Sequence, residues 1–154
     1  MKNKIVKNFC YDGLGFPIDL AQVELIEIDG EWHPKLDVKL IANEAIEALA
    51  YQDGRLTGDQ IKFIRHYFLM TLRAFGKDVA HETHAAVDKW EKYGEQVTSM
   101  NDNTECMIRL YILEQVHSKT KAQRDDFFSQ YQKIKAFFNS PKKIPAHLHI
   151  QNYA

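Results

Sequence analysis

Histidine and acid side chains meet at His81, Glu82 and His84, a grouping that could hold a metal ion or polarise a nucleophile. No HExxH or comparable ligand spacing accompanies it, so turn or groove histidines explain it better. His147 and His149 flank Leu148 near the end of the chain with no cysteine close to them in sequence, and read as incidental. Cys10 and Cys106 are far apart and neither belongs to a CxxC pair, which argues against a disulfide scaffold or a structural zinc site. Gly13 and Gly15 fail the GxGxxG spacing of a phosphate loop. Carboxylates are numerous in the N-terminal half, yet none has an obvious acid/base partner. The expectation is therefore no catalytic residue, no cofactor and no metal, which leaves binding as the chemistry to look for.

Charge gives that binding a direction. The net charge is −1 over 154 residues, but residues 10–54 carry ten acidic side chains against Lys35 and Lys39, a balance of −8. Residues 57–92 stand at +1, with six basic and five acidic side chains. Residues 116–154 carry seven basic side chains against Asp125 and Asp126, or +5. A polyanion is repelled by the first segment and tolerated by the others, unless all three are simply solvated faces. The basic N-terminus is not followed by an apolar stretch of signal-peptide length, and no run approaches a membrane span, so no membrane partner and a cytoplasmic location are expected.

Several elements must position any binding surface. Residues 11–34 read as β and turn, and Ile28-Asp29-Gly30-Glu31 has the signature of a two-residue hairpin whose central positions need positive φ. A helix follows, capped by Asp37, carrying Leu40, Ile41, Ala45, Ile46 and Leu49 at helical spacing and stopped at Asp53-Gly54. Thr57-Gly58-Asp59-Gln60 is a capping box that opens the next helix. Thr71 caps a short helix to about Ala80, and Thr83 caps another that ends near Tyr93-Gly94. A further helix after residues 99–103 has Met107, Leu110, Leu113 and Val116 on one stripe. Thr120-Lys121-Ala122-Gln123 is a second capping box, opening a helix with Phe127, Tyr131, Ile134 and Phe138 on one face.

Three stretches carry a resemblance: residues 56–65 (LTGDQIKFIR), 70–76 (MTLRAFG) and 83–92 (THAAVDKWEK). Together they resemble the helix-turn-helix of the Xre family of phage-type repressors. With the N-terminal stretch beginning Tyr11-Asp12-Gly13-Leu14-Gly15-Phe16-Pro17, the chain looks more narrowly like antitoxins of the MqsA and HigA type. Two departures stand out. The glycine usual between the second and third helices is replaced by Ala80-His81-Glu82, with spacing about one residue longer, and the paired N-terminal cysteines of MqsA-type antitoxins are missing, so that module is expected to fold without zinc.

The implied architecture is mainly α. It is a five-helix repressor-type helix-turn-helix bundle with a small N-terminal β-hairpin/α module (1–54), a DNA-binding domain (55–117) and a C-terminal amphipathic helix and tail (118–154). In the repressor docking mode, the leading residues of 83–92 meet base edges in the major groove. His84, Ala85, Asp88 and Lys89 are the base-contact candidates, while Val87 and Trp90 point back into the bundle. Thr71, Arg73, Lys77, Thr83 and Lys92 are the phosphate candidates. Asp88 and Glu82 would repel phosphate unless paired or reading a cytosine amino group. A palindromic operator implies a homodimer, for which the stripe Phe127, Tyr131, Ile134 and Phe138 is one candidate, although it could equally pack within the monomer. The expected function is an autorepressing antitoxin that binds operator DNA and masks a small basic toxin with its acidic module. The alternatives are a solitary phage-type regulator and a protein-interaction module without DNA binding.

Overall fold

A computed structural model describes residues 2–117 and 147–151 of the chain. It divides into two compact units, Met1–Ala45 with His147–Ala154, and Ile46–Ala146, the division falling within one helix. The stripe Phe127, Tyr131, Ile134, Phe138 and the capping box at Thr120 lie outside the described residues.

The first unit is a sheet, and this corrects the mainly α expectation: the fold is mixed α/β. Strand β1 (Asn3–Tyr11) pairs antiparallel with the eleven-residue β2 (Ile18–Ile28), and β2 pairs antiparallel with β3 (Glu31–Pro34). A last strand, β4 (Leu148–Ile150), returns from the far end of the chain to run parallel to β2, with Ile18 opposite Leu148 and Leu20 opposite Ile150. Since β1 already pairs with β2 from Ile18 to Ile26, β4 lies along the other edge of β2. One face is apolar, with Ile18, Leu20, Leu148 and Ile150 buried. Alternation then turns Asp19 and His149 to the other face. The β2–β3 turn is the expected tight hairpin: Ile28 faces Glu31, and Asp29 and Gly30 take φ of 52° and 82°, the left-handed values that a two-residue turn of matching twist requires.

Helix α1 (Val38–Ala50) is capped by Asp37, whose Oδ1 accepts the Leu40 N–H at 3.0 Å, and buries Ile41, Ala45, Ile46 and Leu49. In the second unit, α2 (Gly58–Tyr67) opens on a complete capping box. Thr57 accepts the Gln60 N–H while the Gln60 side chain accepts the Thr57 N–H. Then come α3 (Leu72–Phe75), a π turn (Gly76–Ala80), α4 (His84–Glu91) and α5 (Asp102–His117). Both α2 and α3 pack against α4, and the π turn packs against α5.

Helix α5 is rotated from the expected stripe. Its buried face is Thr104, Glu105, Ile108, Arg109, Ile112 and Leu113, whereas Met107 is 42% exposed. The reason is ionic. Glu105, fully buried, accepts from the Leu56 N–H and pairs with both Arg55 and Arg109. Arg109 in turn donates to the carbonyls of Gln52 and Gly54 just beyond α1, and at 3.5 Å to that of Ala50, one of the carbonyls that the helix end leaves without a helical partner. No helix among the described residues is long and apolar enough to cross a membrane.

Candidate nucleic-acid interface

A π turn lies between α3 and α4. Hydrogen bonding widens from the α to the π pattern over Gly76–Ala80, and the N–H groups of both His81 and Glu82 reach back to the Gly76 carbonyl. A π turn absorbs one additional residue without ending the helix. The chain then reverses at His81, which takes φ 54° where glycine is the residue at ease. Gly76 makes the reversal possible from the other side, because a Cβ there would lie 2.5 Å from the Glu82 carbonyl oxygen. A left-handed histidine is strained by roughly 1 kcal/mol relative to glycine, partly offset by glycine's freedom in the unfolded chain. His81→Gly is therefore expected to raise the melting temperature by a few degrees and His81→Val to lower it. A fall with glycine would show that the imidazole makes a stabilising contact.

Helix α4 begins where the chain leaves that reversal. Thr83 is its N-cap, with Oγ1 accepting the Ala86 N–H at 3.2 Å. Val87 and Trp90 are buried, as the three-residue spacing implies, while His84, Ala85 and Lys89 are exposed. Asp88 is half-buried and pairs with Lys92 at 2.9 Å, one helical turn along. That pair neutralises the carboxylate nearest the outward face. Being solvated on both sides, it is worth little and opens readily, which frees Lys92 for another anion. Thr71 caps α3 through the Ala74 N–H at 3.1 Å. Arg73 and Lys77 follow it on the same segment, both exposed.

The anchor of this surface was not legible as such. Arg65, on α2, grips Glu91, at the end of α4, through two hydrogen bonds of 2.7 and 2.9 Å, and its third donor nitrogen reaches the Met70 carbonyl at 3.0 Å. Both side chains are nearly buried, at 13% and 9% exposure. The hydrogen bond to Glu91 holds the guanidinium above its usual pKa, against the opposing effect of burial. This fork ties α2, the turn before α3 and α4 into one piece, so α4 is presented rigidly. Its partners are 26 residues apart, and no local spacing announces it.

His81, Glu82 and His84 do not converge: among the described residues, the one group of histidine, cysteine and acid side chains with donor atoms close enough to share an ion is Cys10, Asp19 and His147. No protein-family model, curated protein or solved structure matches the chain.

Proposed function

We propose that this protein is a sequence-specific transcriptional regulator that reads the major groove of double-stranded DNA with α4. One observation carries the reading: α4 is clamped from behind by Val87, Trp90 and the Arg65–Glu91 fork, while its leading residues His84 and Ala85, and Lys89 one turn on, are left exposed. Small or polar side chains at the free leading end of a rigid helix suit base edges, and Ala85 suits a thymine methyl group. Arg73 and Lys77, with Thr71 at the start of α3, flank it as phosphate contacts. The narrower reading, an autorepressing antitoxin acting as a homodimer, draws on the −8 balance of residues 10–54, which suits a small basic protein partner and is unsuited to DNA.

Binding of the full-length protein to DNA from upstream of its own gene, at two salt concentrations, tests the first reading. Selectivity over random DNA of about a thousandfold or more is expected, with affinity falling steeply as salt rises. Lys89→Ala should weaken specific binding by about 5- to 150-fold if the amine meets a base. A wild type without preference for its own upstream DNA overturns the proposal and leaves α4 as a surface for protein. For the antitoxin reading, the product of an adjacent gene should be a small basic protein that binds this chain in a salt-sensitive way; a neutral or acidic neighbour that does not bind removes it.

A further inference from the structure

The sheet carries a second constellation, unrelated to α4. Cys10 on β1 and His149 on β4 are the direct ladder partners of Asp19 on the central strand β2, one on each side. Paired residues share a face, so the three form a row across three strands on the face opposite the buried Ile18, Leu20, Leu148 and Ile150. His147, two residues before His149, faces the same way. Its Nδ1 lies 3.1 Å from Asp19 Oδ1, and the donor atoms of Cys10, Asp19 and His147 all lie within 4.8 Å of one another.

We propose that Cys10, Asp19 and His147 form a binding site for a zinc-class transition-metal ion. The donor set selects the metal. A thiolate and an imidazole beside a single carboxylate do not suit calcium or magnesium, which take oxygen ligands in larger number. They suit zinc, whose four ligands at bond lengths of about 2.0–2.3 Å sit about 3.3–3.8 Å apart. The Asp19 and His147 donors already stand 3.1 Å apart and the Cys10 thiol lies within 4.8 Å of both, so small side-chain rotations on this face close the set. The fourth position falls to His149, opposite Asp19 in the ladder, or to water. The ion would rivet β4 to β2 and β1 across a separation of 128 residues, where the backbone link is a ladder of three residue pairs. No step of this depends on DNA binding.

Cobalt(II) titrated into tag-free, chelator-stripped, full-length protein reads the site directly, because thiolate coordination produces a charge-transfer band in the near ultraviolet. One cobalt per chain is expected to give that band at micromolar metal, and zinc is expected to displace it. The band should vanish in Cys10→Ser and persist in Cys106→Ser. Loss of one ligand should weaken binding at least as much as loss of an outer partner does, so His147→Ala and Asp19→Asn should each cost about 100-fold or more in affinity. Zinc should raise the melting temperature of the wild type and leave that of Cys10→Ser unchanged. A wild type that gives no thiolate-to-cobalt band, or a band that survives Cys10→Ser, overturns the proposal whatever the variants' stability.

Discussion

Glu105→Ala is expected to cost about 3–5 kcal/mol, the loss that follows when one partner of a buried ion pair is removed and the other charge is left behind. In this protein Glu105 serves two guanidiniums. Glu105 is fully buried; one carboxylate oxygen accepts the Leu56 N–H at 2.7 Å, and the other pairs with Arg55 at 2.9 Å and Arg109 at 3.3 Å. Burial already pushes the Arg109 guanidinium below its usual pKa; Glu105 opposes that, and Arg55 adds to it. Without Glu105 the two guanidiniums lose the carboxylate they share, although Arg55 keeps its pair with Asp102, and the Leu56 N–H loses its acceptor. A domain of this size is stable by about 5–15 kcal/mol, so the variant should sit at or near the edge of folding. Glu105→Gln, which keeps an acceptor oxygen and drops the charge, should fall between the two. Equilibrium denaturation in urea measures the series through its midpoints. Equal midpoints for wild type and Glu105→Ala would mean that water reaches this network in solution.

The second large effect is expected in binding and not in stability. Ala85→Glu sets a carboxylate at the exposed leading end of α4, where a groove-reading helix must approach the phosphates most closely. Like-charge juxtaposition at an interface costs several kcal/mol, so affinity for upstream DNA should fall by about 100-fold or more. The residue is exposed and glutamate is a good helix former favoured near a helix N-terminus, so the melting temperature should hold. Binding isotherms beside a thermal melt give both numbers from one preparation. Undiminished affinity would remove α4 from the interface. The variant also complements Lys89→Ala, since one removes an attraction and the other adds a repulsion at a separate position on the same face.

Local signals were read from the sequence with little loss, because their physics is completed within a few residues. The Thr57–Gln60 capping box, the Thr71 and Thr83 caps and the Asp29-Gly30 turn each satisfy backbone groups two or three positions away. The outward face of α4 followed from Val87 and Trp90 alone, since three residues nearly complete a helical turn.

Other features depended on partners far along the chain. Strand β1 is mostly exposed and only partly apolar, so its membership in a sheet shows in its pairing with β2 and not in its own pattern. Strand β4 is three residues long and finds β2 from the opposite end of the sequence, which is why a mainly α fold was expected and a mixed one found. Glu105 and Arg109 stand four apart on a helix, the spacing of an ordinary solvated pair. The backbone ends gathered around them are what make the pair internal. His147 likewise has no thiol near it in sequence, and acquires Cys10 as a neighbour through the pairing of β4 and β1 on either side of β2. The sequence alone therefore determined where helices begin, where the chain turns and which side of α4 looks outward. The tertiary structure decided which charges are buried and which donors meet, because the energy of a charge or a ligand depends on what long-range packing brings beside it.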